Sequence, residues 1–376
     1  MNKLQTIKHV SMIQAIVFIL IAVAAFFIAF KKFFRIRRNI LLGKDTPLVQ
    51  NSSQRIKNTL LIAFGQKKMF KRIIPAVFHF FIYAAFLLTS LELVEILIDG
   101  ATNHHRFFYP YLGGFYSLII STIEILSVLA FIGTFIFLAR RNLLKLPRFH
   151  SSEMNGWPKL DGNIILYLEI LLICFVMMMN GSDEVLFNRA ASHAHLMDGQ
   201  TGSFNFAVSD WLGPMLFGGI ESESTLHVIE RIGWWGHILV VFAFLNYLPI
   251  SKHLHIMLAF PNVYWAKLNS RGQMDNMPEI MNEVKSMMDP NAPIDESAID
   301  EELPEFGAKD IFDLSWRDIM GAYTCTECGR CTSVCPANIT GKKLSPRKIM
   351  MDIRDRAEEV GLNMDTGKIE FITEAK

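Results

Sequence analysis

The stretch CTECGRCTSVCP, residues 325–336, contains four of the five cysteines in a chain of 376 residues. Cys325, Cys328, Cys331 and Cys335 follow the pattern C-x2-C-x2-C-x3-C-P, the spacing of thiolates that wrap a cubane [4Fe-4S] cluster. Structural zinc is the main alternative for grouped cysteines, but zinc sites usually pair two C-x2-C units that lie farther apart. The sequence therefore predicts a [4Fe-4S] site with these four ligands.

The motif leaves the number of clusters open. In proteins with two clusters, the fourth cysteine of this pattern binds the other cluster. The fifth cysteine, Cys174, lies in an apolar segment and is expected to be a packed thiol. Either all four cysteines bind one cluster, or a second ligand set lies on a partner, or the sequence is truncated before that set.

The residues around the motif predict a small α-helical, ferredoxin-like [4Fe-4S] domain over 311–376. Two amphipathic segments, 311–322 and 344–357, are expected to form helices that pack around the cysteine loop. Before them, residues 261–310 form an acidic, proline-containing stretch that is typical of a linker. The net charge of the chain is only +1, which argues against binding to nucleic acid.

Residues 1–260 have the composition of a membrane domain. Segments long and apolar enough to cross a hydrocarbon layer of about 30 Å occur five times. The first segment is followed directly by basic residues, so we expect an uncleaved anchor and not a signal peptide. The five predicted spans cover residues 11–30, 74–98, 115–139, 163–180 and 229–258. The expected fold is thus an all-α membrane protein, a five-helix bundle followed by the cluster domain.

The charges of the connecting segments predict the orientation. Residues 31–72 carry twelve Lys or Arg against one acid, and residues 140–162 carry five against two. Residues 181–226 carry one Arg against six acids. Because basic loops stay in the cytoplasm, we expect an outward N-terminus, five crossings and a cytoplasmic cluster domain. A disulfide framework is not expected in that reducing compartment.

Histidines in the apolar segments are candidate haem ligands. His237 and His255 are 18 residues apart, about five turns, so a continuous fifth helix would carry them on one face. His79 lies on the second helix about two turns inside the basic edge at 71–72, close to the expected depth of His255. The sequence favours a b-type haem held by His79 and His255, with His253 as a fallback. The alternative is that these histidines are satisfied polar residues at helix ends.

The sequence leaves open whether a second, outer haem is present. His237 would be one ligand, but the second helix offers no histidine at the matching level. His104 and His105 follow that helix and could fold back, or they could be exposed loop residues.

Three glutamates, Glu92, Glu95 and Glu124, lie in apolar surroundings where a charge is costly. An outward carboxylate could accept the protons that quinol oxidation releases. Helix capping, or pairing with Arg106 or Arg231, is the equally open alternative.

Taken together, these histidines and helices resemble the gamma subunit of respiratory nitrate reductase, whose fifth helix has the same His237–His255 spacing. The segment WRDIMGAYTCTECGRCTSVCPANITGKKLSPRKIM, residues 316–350, is similar to iron-sulfur subunits related to heterodisulfide reductase. The fused arrangement resembles bacterial membrane-bound, heterodisulfide-reductase-related oxidoreductases. The resemblance implies inner-haem ligands at His79 and His255 and an outer ligand at His237. The family's fourth histidine is replaced by Thr89 or a neighbour, and its second cysteine motif and CCG motifs do not occur in this sequence.

The resulting hypothesis is an oxidoreductase subunit in the bacterial inner membrane. Electrons would pass between menaquinone, or another quinone, and a cytoplasmic iron-sulfur or CCG-type partner through haem b and the cluster. A haem-free membrane anchor for an iron-sulfur module is the first alternative. A transporter with a redox-sensing cluster is the second, although paired inverted repeats are not evident.

Overall fold

The computed structural model describes residues 3–144, 146–198, 205–270, 272–273, 276–288 and 307–368. Within these ranges the chain is helical and has no β-strand. Among the described residues, five helices are long and apolar enough to cross a membrane, which agrees with the predicted number of spans. These helices are α1 (Lys3–Ile40), α3 (Ile73–Thr102), α5 (Gly114–Asn142), α6 (Trp157–Asp198) and α8 (Glu223–Tyr247).

Shorter helices connect and follow the five long ones. They are α2 (Ser52–Asn58), α4 (Tyr109–Leu112), α7 (Ser209–Phe217), α9 (His255–Tyr264), α10 (Pro278–Met288), α11 (Trp316–Tyr323), α12 (Pro336–Ile339) and α13 (Pro346–Asp365). Helices α11 and α13 confirm the two helices predicted beside the cysteine loop. Ser315 and Ser345 cap their N-termini, because each hydroxyl accepts a hydrogen bond from a free first-turn amide. Helix α10 lies within the predicted linker, of which residues 289–306 fall outside the described ranges.

The chain forms two compact units, and the first contains residues 1–34, 65–254 and 326–334. In this unit α3 packs on α5, α5 on α6, and α6 on α8. Glycine permits a close approach of α8 to α6, because a Cβ on Gly233 of α8 would lie 2.7 Å from the backbone nitrogen of Met179 on α6. Many apolar side chains on the outer surfaces are exposed, as a lipid environment requires.

The predicted fifth span is interrupted, so the expectation of one helix over 229–258 is wrong. Helix α8 ends at Tyr247 and is followed by 3₁₀ turns at Leu248–Ile250 and Lys252–Leu254. Pro249 lacks an amide hydrogen, and Ser251 is extended with φ −118° and ψ 153°. The Asp161 carboxylate of α6 accepts hydrogen bonds from the Tyr247 hydroxyl (2.6 Å) and the Lys252 amide (3.0 Å). The argument that His237 and His255 share one helical face therefore fails.

The second unit contains residues 35–64, 255–325 and 335–376. The end of α1 contributes Asn39, which is fully buried and donates to the Tyr323 hydroxyl of α11 (3.1 Å). Its neighbour Arg38 donates to the Gly361 carbonyl of α13 (2.8 Å) and pairs with Asp365. The sequence boundaries at 260 and 310 stay a prediction.

Candidate metal centre

The cysteine loop lies between α11, which ends at Tyr323, and α12, which begins at Pro336. Two residues of the loop have positive φ, Glu327 (55°) and Gly329 (71°), so the backbone curls between the cysteines. None of the four cysteines forms a disulfide. Three are partly buried and Cys331 is exposed. The central segment, residues 326–334, belongs to the first unit, whereas Cys325 and Cys335 belong to the second.

A buried ion pair holds the central segment of the loop within the first unit. Lys252, just beyond α8, pairs with Glu327, and their side chains are only 9% and 2% exposed. The Lys252 ammonium also donates to the Pro158 carbonyl at the start of α6 (2.7 Å) and lies 3.8 Å from Asp161. Burial lowers the pKa of Lys252, and the nearby Glu327 and Asp161 carboxylates oppose this effect. The loop segment is therefore fixed to the ends of α6 and α8, here called the proximal end of the bundle.

Positive side chains surround Cys328. The Arg330 Nε donates to the Cys328 sulfur at 3.1 Å. Burial alone would raise the pKa of the Cys328 thiol, but hydrogen bonds from the backbone and side chain of Arg330 lower it overall. Burial and the like charges of Arg140 and Arg72 lower the pKa of Arg148. A negative charge on Cys328 raises it, so Arg148 and a Cys328 thiolate attract each other. This electrostatic environment favours a thiolate, which is the form that binds metal.

The residues of the loop fit the predicted cluster. The loop carries four cysteines, and the Arg330 guanidinium donates to the Cys328 sulfur. A positive donor at this place would stabilise the negative charge of a thiolate-bound cluster. Their assignment as ligands stays a prediction.

The three candidate haem ligands lie in different surroundings. His237 on α8 is partly buried, and its Nδ1 lies 3.2 Å from the Leu172 carbonyl of α6. If Nδ1 carries the hydrogen, Nε2 is free to bind a metal, the arrangement that metal-binding histidines commonly use. His79 is partly buried on α3, and His255 begins α9 in the second unit. The pairing of His79 with His255 stays a prediction.

His105 has a polar partner that the sequence did not indicate. Its Nε2 lies 3.0 Å from Asp183 of α6, whereas His104, also exposed, bonds locally to the Thr102 hydroxyl. Ligand atoms of His105, Asp183 and Glu230 lie within 4.8 Å of one another. Arg106 and Arg231 already pair with the two carboxylates, so these groups are compensated without a metal ion.

Cys174 is exposed on α6, so the expectation of a packed thiol is wrong. Apolar composition marks a segment that avoids water, but it does not distinguish a side chain packed in the bundle from one on its outer surface.

The sequence missed the central role of Arg106 at the opposite, distal end of the bundle. This buried side chain donates to Asp183 (2.6 Å), to Asn180 (2.9 Å) and to the Tyr116 hydroxyl (3.1 Å). The sequence did contain a signal for this buried cation, because Arg106 is the single arginine between two predicted spans and acidic residues stand at both neighbouring helix ends. The sequence also missed Lys252 and Glu327, because a charged residue in a loop gives no sign of burial.

Comparisons with known proteins support the iron-sulfur assignment. No protein-family model matches the chain, and no solved structure matches it significantly. The chain is similar to named iron-sulfur oxidoreductases. It is 26% identical over 322 residues to the "Probable iron-sulfur-binding oxidoreductase FadF" of Bacillus subtilis, an alignment that covers 86% of this chain and 40% of the relative. It is 25% identical over 299 residues to the "EtfAB:quinone oxidoreductase" of Syntrophomonas wolfei, covering 78% and 36% respectively.

A shorter match involves 55 residues, 34% identical, of the "Probable membrane-anchored ferredoxin" of Chromohalobacter salexigens, covering 15% of this chain and 8% of the relative. The chain thus spans about two-fifths of the length of the first two relatives. None of the three names mentions a cytochrome.

Proposed function

We propose that this chain is a membrane electron-transfer protein of the oxidoreductase class. It would pass electrons between the quinone pool and a cytoplasmic acceptor through haem b and a [4Fe-4S] cluster. The observation that carries the proposal is the buried Lys252–Glu327 pair, which fixes the central cysteine segment to the helix ends of a membrane bundle. A free tether would not need such an attachment, whereas electron transfer requires fixed distances between redox groups.

When bound, the cluster supplies a one-electron redox centre, and the residues of the chain set its position and charge environment. Lys252 and Glu327 orient the loop, and Arg330 compensates negative charge on Cys328.

The depth of His237 supports a redox group inside the bundle. Along α6, Asp161 and Asp183 are separated by 22 residues, about 33 Å at 1.5 Å per residue. Leu172, which faces His237, is 11 residues from Asp161, or about 16 Å. A haem at His237 would divide the path across the bundle into two similar steps. His79 and His255 are the proposed ligands of the haem nearer the cytoplasm.

Quinone is the proposed membrane reactant. The name of one relative includes quinone together with EtfAB, which supports this choice. The proposed cytoplasmic partner is an iron-sulfur or CCG-type redox protein or domain. Electron flow in either direction uses the same residues.

A haem-free membrane anchor for an iron-sulfur module is the second candidate. The match to a membrane-anchored ferredoxin favours it, because that relative is named for a cluster protein and an anchor only. The two candidates differ in whether the histidines hold haem.

Analysis of purified full-length protein for iron, acid-labile sulfide and haem separates them. We expect about four non-haem irons per chain for one cubane cluster and sharp b-type absorption bands after reduction with dithionite. His79→Ala, His255→Ala and His237→Ala should each weaken or remove those bands. His150→Ala is the matched control, because this histidine is exposed and bonds locally to the Leu146 carbonyl.

Several results would change the assignment. A cluster signal without haem bands would favour the anchor. Loss of the bands in the control variant alone would contradict the proposed ligands. Absence of both cofactors would overturn the electron-transfer proposal.

A further inference from the structure

One oxygen of a buried carboxyl group on α3 accepts no hydrogen bond from the described residues. Glu92 is only 4% exposed, and its Oε1 is buried without a hydrogen-bond partner among the described residues. It lies within a predicted membrane span and lines a small cavity together with the apolar side chains of Ile96 and Trp234. An ionised carboxylate in this position would lose its hydration, and at Oε1 no hydrogen bond from the described residues would replace it.

The other two candidate glutamates are fully engaged, so they differ from Glu92. Glu95 accepts hydrogen bonds from the Tyr116 hydroxyl (2.7 Å) and the Phe108 amide (2.8 Å). Glu124 accepts bonds from the amides of Val208 (2.8 Å) and Ser209 (3.0 Å) and from the Ser209 hydroxyl. These contacts match the capping alternative for Glu95 and Glu124 and leave Glu92 as the one of the three without such donors.

The charges at the distal end do not balance. Five other acidic side chains lie at this end of the bundle: Glu95 and Asp99 on α3, Glu124 on α5, Asp183 on α6 and Glu230 on α8. The basic groups among them are the cations Arg106 and Arg231 and the titratable His105. Asp99 is stabilised by the amides of Arg106 (2.9 Å) and Phe107 (3.1 Å). Each of the other carboxylates named here accepts a hydrogen bond or forms an ion pair, whereas Oε1 of Glu92 accepts no hydrogen bond from the described residues. A negative charge on Glu92 would be attracted by Arg106 and repelled by Glu95 and Glu124, while the hydrogen bonds of the Arg106 side chain go to Asp183, Asn180 and Tyr116.

A cavity connects Glu92 with a partly exposed histidine. The cavity measures about 10 Å³, roughly the space for one water molecule. Its lining includes Glu92, Asp99, His105 and Arg106. The His105 side chain is 48% exposed, so one side of the cavity wall reaches the surface. A water molecule in this cavity would lie between the Glu92 carboxyl and an imidazole able to exchange protons with solvent.

We propose that Glu92 is a proton-binding site that holds a proton in the membrane bundle and exchanges it with the distal aqueous side through the cavity and His105. The proton-binding itself follows from the burial, the missing donors and the cavity. Its use in quinone chemistry, which takes up or releases protons, rests on the proposed function.

Infrared difference spectroscopy of the purified full-length protein tests the site. Protonated carboxyl groups have a C=O stretching band that shifts when hydrogen is exchanged for deuterium. We expect such a band in the wild type and its loss in Glu92→Gln. Glu221→Gln, a change at an exposed distal glutamate, is the matched control and should leave the band unchanged. His105→Leu should keep the band and slow its exchange in D₂O by at least an order of magnitude, because the imidazole is removed from the exposed side of the cavity.

Glu92→Asp keeps the inference testable if the amide variant does not fold. It retains a carboxyl group, so the band should persist at a shifted frequency. A wild-type spectrum without the band, or a band unaffected in Glu92→Gln, would overturn the proton site. Unchanged exchange in His105→Leu would overturn the route. Reduction by a quinol is measured separately: its absence together with a normal Glu92 band would reject the quinone function and leave the proton site intact.

Discussion

Replacing Lys252 with methionine tests how the central cysteine segment is held. Methionine preserves most of the side-chain length but removes the cation that pairs with Glu327. The two side chains are 9% and 2% exposed, so the pair is shielded from water. Removing one partner of a buried ion pair typically costs about 3–5 kcal/mol.

That cost can be converted into an expected opening of the segment. At 1.36 kcal/mol per tenfold change, 3–5 kcal/mol corresponds to about two to three and a half orders of magnitude in the opening equilibrium. Local opening is limited by global stability, so the largest values would appear as unfolding of the whole unit. Glu327→Gln should have a smaller effect, about 1–2 kcal/mol, because Lys252 keeps Asp161 and the Pro158 carbonyl as partners. In the double variant, Lys252→Met with Glu327→Gln, most of the cost of Lys252→Met should be recovered, since the Glu327 charge is removed and Asp161 keeps the Tyr247 hydroxyl and the backbone amide of residue 252 as donors.

Hydrogen-deuterium exchange of the peptide covering residues 326–334 measures the opening directly. The peptide covering α13, residues 346–365, serves as the internal reference. We expect rapid exchange in Lys252→Met and restored protection in the double variant. Wild-type protection of 326–334 in Lys252→Met would refute the structural role of the pair. Equal effects of the single and double variants would show that packing, and not charge, holds the segment.

Three further predictions concern other contacts. Arg330→Gln should lower the midpoint potential of the bound cluster by on the order of tens of mV, because the charged donor to Cys328 stabilises the more negative reduced state. An EPR-monitored redox titration measures this potential, and Arg330→Lys, which retains the charge, is the control. An unchanged potential in Arg330→Gln would contradict the prediction. Arg356 donates hydrogen bonds to the Asp310 carboxylate, and these bonds together with its charge lower the pKa of Asp310 in the folded protein. The pair therefore stabilises the fold at pH values above the pKa that Asp310 has in the unfolded chain. This stabilisation is lost as the pH falls through the lower pKa of Asp310 in the folded state. Acid-unfolding curves followed by circular dichroism should therefore show a weaker pH dependence in Asp310→Asn, and parallel curves would exclude the contribution. Gly233→Leu should destabilise the α6–α8 contact by more than about 2 kcal/mol, because even a Cβ at this position would lie 2.7 Å from the backbone nitrogen of Met179. A thermal-stability assay in detergent measures the effect, with Gly219→Leu at an exposed glycine as the control. Equal stabilities of the two variants would rule the prediction out.

Some features of the fold follow from local sequence because local physics decides them. A bilayer requires about 20 apolar residues for each helical crossing, and that length is visible in the sequence. The helices beside the cysteine loop begin at serines whose hydroxyls satisfy nearby amides, a signal that lies within three residues. The spacing of the cysteines indicated a cluster loop for the same reason, since the ligands come from eleven consecutive positions.

The fifth span shows the limit of this reasoning. Apolar composition predicts a continuous helix, but the helix ends at Tyr247 because Pro249 removes a donor and Asp161, from another helix, stabilises the non-helical backbone. A periodicity argument across that break could not relate His237 to His255. The sequence identified His237, but the Leu172 carbonyl that orients it belongs to a neighbouring helix.

The sequence by itself determined which segments are long and apolar enough to cross a membrane, where the thiols cluster and which glutamates stand within apolar segments. Tertiary structure alone decided which of those charges are compensated. Glu95 and Glu124 found amide and hydroxyl donors, Glu92 did not, and Glu327 found Lys252 at a sequence distance of 75 residues. The physical reason is that solvation inside a protein depends on the atoms that packing brings together, and those atoms come from distant parts of the chain.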